Sequence, residues 1–138
     1  MQNFLQKISL LFSRFAIFLV YFWFGALKVF GDSPANPLVS SLLGKTLPFI
    51  SFSTFIIALG CFEMLIGVMF LYSKLDKWSA GLLAVHLFTT FMPLILLPAM
   101  AWQGFMTPTL EGQYIIKNIL ILALAVVILS HTYSKKNV

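Results

Sequence analysis

Four apolar stretches, at about residues 10–30, 50–72, 78–100 and 113–132, dominate the chain. Each is close to the roughly 20 residues a helix needs to cross a ~30 Å hydrocarbon core. In lipid every backbone N–H and C=O must be bonded within the segment, so such stretches fold as helices and turn their polar groups toward one another. Composition agrees, with 60% of the 138 residues hydrophobic and 9% charged, against about 45–50% and about 25% in soluble domains. The expected fold is all-α, an integral membrane four-helix bundle forming a single domain over residues 1–138.

The ends of the spans are punctuated. Gly31-Asp32-Ser33-Pro34 stops the first, Ser73-Lys74-Leu75-Asp76-Lys77 makes a tight polar turn between the second and third, and Thr107-Pro108-Thr109 precedes the fourth. The connection from Gly31 to Ser51 contains Pro37 to Leu43, too short to span and expected as an interfacial helix in the first outer loop. Lys7 and Arg14 precede the first span as they would in a signal peptide. However, Ala26-Leu27-Lys28 puts a charge where a cleavage site would need small residues, so this run is expected as a mature helix.

The net charge of +5 does not point to nucleic acid, because the nine basic residues are scattered along a hydrophobic chain. They sort instead by side: Lys7, Arg14, Lys74, Lys77, Lys135 and Lys136 against Lys28, Lys45 and Lys117. By the positive-inside rule both termini are expected in the cytoplasm. Trp78 and Trp102, near opposite ends of the third span, read as interfacial anchors. The lone Cys61 excludes an internal disulfide and a Cys-x-x-Cys relay.

Polar residues within the spans carry the functional signal. A carboxylate at mid-span costs roughly 2.5–3.5 kcal/mol on insertion scales and normally faces a bundle interior with a partner. Glu63 is such a residue, with Gly60 and Gly67 at i−3 and i+4 on its own face to let a neighbouring helix approach. Arg14, Tyr21 and Lys28 recur every seven residues on the first span, with Gly25 beside them, and form a structural polar seam with Gly60 and Gly67. Lys28 is the first choice of partner for Glu63 and Lys117 the second. His86, Thr89, Thr90 and Pro93 share a face of the third span, and Pro93 and Pro98 interrupt its outer end, where freed carbonyls need other donors. Gln113 and Lys117, one turn apart, make the start of the fourth span polar, as do Tyr114 and Asn118. One embedded histidine, one cysteine and one mid-span carboxylate fall short of the four ligands of a tetrahedral metal site, so no metal is expected.

Arg14, the run Gly25-Ala26-Leu27-Lys28 and the run Gly60 to Gly67 around Glu63 together resemble the Arg, Gly-x-x-Lys and Glu-x-x-x-Gly pattern of DoxX-like four-helix membrane proteins. Gly112-Gln113-Tyr114-Ile115-Ile116-Lys117-Asn118 resembles an element of their YkgB/RclC-like branch. The resemblance covers about Arg14 to Ile128 and implies a bacterial inner-membrane bundle tied to redox or to oxidative and reactive-chlorine stress defence. It transfers no catalytic residue, and the dithiol of the related quinone-linked thiol oxidoreductases is missing.

The function expected is therefore a small membrane component of a redox or stress-defence system. Lys28, Glu63, His86, Gln113 and Lys117 are its candidate ligand-binding residues, and a quinone-like or other small amphipathic molecule is the candidate ligand or cofactor. The alternatives are a non-catalytic scaffold subunit and a small transporter or proton pathway. The expected partners are the lipid bilayer, a membrane or redox protein and a second copy of the chain.

Overall fold

The computed structural model describes residues 1–134, so Lys135 and Lys136, counted above toward the orientation, lie outside the described residues. It is mostly helical, and four helical segments are long and apolar enough to cross a membrane: Phe4–Phe30, Phe52–Met69, Ser73–Leu96 and Leu110–Ser134. The elements are α1 (Gln2–Phe30), α2 (Asn36–Thr46), α3 (Phe52–Met69), a 3-10 turn (Ser73–Leu75), α4 (Asp76–Phe91), the single turns α5 (Pro93–Leu96) and α6 (Pro98–Ala101), strands β1 (Trp102–Gly104) and β2 (Thr107–Pro108), and α7 (Leu110–Ser134). The short helix expected over Pro37 to Leu43 is present as α2. The two-stranded antiparallel β1–β2 hairpin was not expected.

The helix ends follow their local chemistry. Gly31 adopts a left-handed conformation (φ 87°), and the N–H of Asp32 reaches back to Leu27 O at 2.9 Å, so α1 stops two residues after Lys28. Ser51 caps α3 by accepting from the Thr54 N–H. Thr109 caps α7 by accepting from the Gly112 N–H at 3.1 Å.

The four long helices form a closed ring: α1 packs most extensively on α3, α3 on α4, α4 on α7 and α7 on α1. That order leaves α1 and α4 on one diagonal of the bundle and α3 and α7 on the other. The α1–α3 seam is the tightest, because a Cβ added at Gly60 would stand 2.5 Å from Gly25 O and one at Gly25 would stand 2.6 Å from Gly60 O. Backbone meets backbone there, as small-residue helix crossings allow. Gly60→Ala is accordingly expected to destabilise by about 2–3 kcal/mol, near the top of the overpacking range, since the obstructing atom is backbone and cannot rotate away. Thermal unfolding in detergent followed by circular dichroism reads this directly, and an unchanged midpoint would contradict the close crossing.

All four long helices contribute to one apolar core, which includes Ile17, Ile66, Leu83 and Ile128, each 0% exposed. The outer faces are apolar as well, with Phe12, Trp23, Phe88, Ile119 and Leu120 all exposed. Four charged side chains, in contrast, are drawn inward: Arg14, Lys28, Glu63 and Asp76 are all buried. This inverts the arrangement of a soluble domain, and the apolar exterior far exceeds scattered surface residues.

Pro93 and Pro98 break the C-terminal end of the third span into α5 and α6. Pro98 has no N–H to give Leu94 O, and the indole of Trp102 donates to that carbonyl instead, at 2.9 Å. Lys45 of α2 donates to Leu96 O at 2.8 Å. Trp102, read from sequence as an interfacial anchor, serves in the fold as a replacement donor. Removing that donor with Trp102→Phe should lower stability by about 1–3 kcal/mol, the usual penalty for an orphaned carbonyl. The same unfolding assay checks it, and a change under ~0.5 kcal/mol would mean that the indole bond contributes nothing net.

Candidate functional site

Glu63 sits one turn of helix from the Gly25–Gly60 crossing, so the close approach of α1 places α1 side chains against its carboxylate. Lys28 Nζ donates to Glu63 Oε2 at 2.6 Å. From the opposite side His86 of α4 brings Nε2 to 2.8 Å from Oε1. His86 Nδ1 in turn lies 3.0 Å from the hydroxyl of Tyr21, one heptad below Lys28 on α1. The two ring nitrogens thus link Tyr21 to one oxygen of Glu63, while Lys28 Nζ donates to the other. The Phe62 and Tyr21 rings wall the imidazole at centroid distances of 6.2 and 5.3 Å. Tyr21, Lys28, Glu63 and His86 are all under 9% exposed.

Thr89 and Thr90 turn back to their own helix, each hydroxyl donating to His86 O, at 2.7 and 2.9 Å. This fixes the turn that carries the imidazole. Bonds of this kind also bend a helix, here just ahead of the Pro93 break.

A second buried cluster closes the other end of the bundle. Arg14 Nη1 and Nη2 donate to Asp76 Oδ1 and Oδ2 at 2.5 and 2.6 Å, a bidentate fork. Nη1 also donates to Phe70 O at 2.9 Å, at the C-terminal end of α3. The Thr132 hydroxyl of α7 donates to Asp76 Oδ2. All four long helices therefore meet at one knot. Its signs suit the helix ends, with a cation at the C-terminus of α3 and an anion in the first turn of α4. The knot also joins the first half of α1 to the end of α3, the start of α4 and the end of α7, so successive spans run in alternating directions.

Both clusters bridge the α1–α4 diagonal, through Arg14–Asp76 in one and Tyr21–His86 in the other. Each holds one cationic and one anionic side chain, leaving the bundle interior electrically balanced. Ile17, Ile66 and Leu83 lie between the clusters along α1, α3 and α4 and are fully buried, so apolar side chains separate them.

Of the five ligand candidates, Lys28, Glu63 and His86 come together, while Gln113 and Lys117 do not join them. Both are exposed on α7, and Lys117 lies over the ring of Tyr114, 5.2 Å from its centroid. The partner of Glu63 is the first choice, Lys28. Within the expected seam Arg14, Tyr21, Gly25, Gly60 and Gly67 all face the bundle, but Arg14 and Lys28 belong to different clusters.

Sequence reasoning missed Asp76, assigned to a solvated turn, and Thr132. Charge balance could have found Asp76. The chain has four acidic residues, and Asp76 alone lies at the end of the chain's spans where Arg14 enters. Comparison of the chain with family models, curated proteins and solved structures returns no match.

Proposed function

We propose that the chain is a multi-pass protein of the bacterial inner (cytoplasmic) membrane, DoxX-like and of the YkgB/RclC-like branch. In this reading it serves a redox or oxidative and reactive-chlorine stress-defence system by binding the polar head of a quinone-like or other small amphipathic molecule. The observation that carries the ligand is the convergence of Lys28, Glu63 and His86 from three helices, with one lysine donor to spare. Of the three ammonium N–H groups, one goes to Glu63 at 2.6 Å and one reaches only as far as Phe24 O at 3.5 Å. A ligand carbonyl would take the donor left over, and a ligand hydroxyl would donate to Glu63. Intramembrane ionisable residues gathered this way mark functional sites more often than packing.

A second reading has its own support. The Arg14–Asp76 knot has the same make-up, one cation and one anion fastening the same diagonal, and it acts as a structural clamp. The Glu63 cluster would then be a second clamp in a scaffold subunit. A continuous proton pathway would have to pass the buried apolar side chains of Ile17, Ile66 and Leu83.

Purification of the full chain from membranes, followed by mass spectrometry of small molecules retained with it, tests the ligand. The parent is expected to hold about one amphipathic molecule per chain, absent from Lys28→Met. Only bulk lipid in membrane proportions, from both proteins, would remove the ligand reading. For orientation, a cysteine at Ser134 in a Cys61→Ser background should be protected from impermeant thiol reagents in intact cells. Labelling from outside would reverse the topology.

A further inference from the structure

At the end of the bundle that holds the Arg14–Asp76 knot, a cleft of about 450 Å³ opens between α1, the 3-10 turn and the end of α7. Its floor is the knot, in which Asp76 is 1% exposed and its charge is matched by Arg14. The mouth is cationic: Lys74 and Lys77 line it, with His131 opposite. Both lysines are exposed, and neither forms an ion pair among the described residues. Ser73 and Tyr133 add hydroxyl groups to the rim, and Leu10 and Leu129 form an apolar wall.

We infer that this cleft binds the phosphate headgroup of an anionic phospholipid from the adjoining leaflet. The cleft lies where α3 and α7 end and α4 begins, the level at which headgroups stand if the four helices span the bilayer, so the inference rests on that part of the functional reading. Two lysines with no carboxylate of their own supply the charge. Basic pockets between spanning helices recognise lipid phosphates in this way, each lysine adding an attraction that salt screens only partly near the surface. The apolar wall distinguishes a lipid from free phosphate, because it receives the glycerol and the first methylenes of the acyl chains, whereas an inorganic anion would leave it wet. Arg14, tied to Asp76 and Phe70 O, does not grip the phosphate. It holds the floor rigid beneath it.

The test is native mass spectrometry of the purified full chain in an uncharged detergent, titrated separately with dioleoyl phosphatidylglycerol and dioleoyl phosphatidylcholine. The parent should retain the anionic phosphatidylglycerol preferentially. Lys74→Gln should weaken that retention about fivefold and the pair Lys74→Gln, Lys77→Gln about 25-fold, while Lys117→Gln, at the other end of the bundle, should leave it unchanged. Millimolar inorganic phosphate should not displace the lipid. Equal retention of the two lipids by the parent overturns the inference, whether or not the variants fold. So does unchanged phosphatidylglycerol binding in the folded double variant, and displacement by phosphate would make the cleft a free-anion site. Fractionation keeps the two readings apart: a chain recovered from the membrane without lipid preference defeats only the headgroup site, whereas recovery in the soluble fraction defeats the spanning reading itself.

Discussion

Asp76→Ala is expected to be among the most destabilising single changes in the chain, at about 3–5 kcal/mol, the usual result of stranding one member of a buried ion pair. The carboxylate is 1% exposed and takes both arms of the Arg14 guanidinium and the Thr132 hydroxyl. Without it a charge that is 7% exposed keeps only Phe70 O as partner, while α7 loses its hydroxyl contact to the knot. Asp76→Asn should recover part of the loss, because the amide oxygen still accepts one bond. The paired change Arg14→Met, Asp76→Leu should return close to parental stability, since buried ion pairs are often replaceable by apolar residues of similar volume. Thermal unfolding of the purified proteins in one detergent measures all three. Parental stability in Asp76→Ala would mean that water reaches Arg14 and that the knot fastens nothing. A double variant no better than Asp76→Ala would mean that the fork contributes geometry apolar packing cannot replace.

The spans and their order were legible in the sequence because length and hydropathy alone identify a membrane helix. The Lys28–Glu63 pair was legible for a more specific reason: Gly60 and Gly67 flank Glu63 and let a neighbouring helix approach, and a long lysine stem can reach inward along such a groove. What the sequence withheld was the rotation of the helices. In water a helix buries its apolar stripe, but lipid is as apolar as a core, so α7 has no stripe to declare which side is inside. Gln113 and Lys117 looked like pocket residues because their helix begins in a polar run, yet Ile115, Ala125 and Ile128 are the side chains that face inward. Asp76 was hidden by the opposite effect. A charged residue flanked by lysines in a short turn reads as solvated, and nothing local reveals that the turn folds over the end of the bundle. The Tyr21–His86 bond combines both problems, since it spans the diagonal and depends on the rotation of two helices at once.

Replacing Glu63 and Lys28 together should separate a site from a clamp. Lys28→Ala alone leaves the buried carboxylate with His86 as its one remaining partner, at about 3–5 kcal/mol for a broken pair, held toward the lower figure by that imidazole. Glu63→Gln should be milder, because the neutral amide keeps the shape and can still accept from lysine and donate to or accept from histidine. In the double variant Glu63→Met, Lys28→Met both charges leave together, so unfolding in detergent should show near-parental stability and unchanged helix content. Function should diverge from stability at this point. Cells relying on the double variant are expected to survive hypochlorous acid no better than cells lacking the protein, although the chain remains abundant in the membrane. A clamp that tolerates apolar replacement would instead support full survival, because packing is all it contributes. Full survival with a well-folded double variant would sink the ligand reading and leave Lys28, Glu63, His86 and Tyr21 as the second of two polar fasteners across one diagonal. Loss of survival in this variant, beside parental survival in the folded Arg14→Met, Asp76→Leu protein, would place the activity at the Glu63 cluster alone.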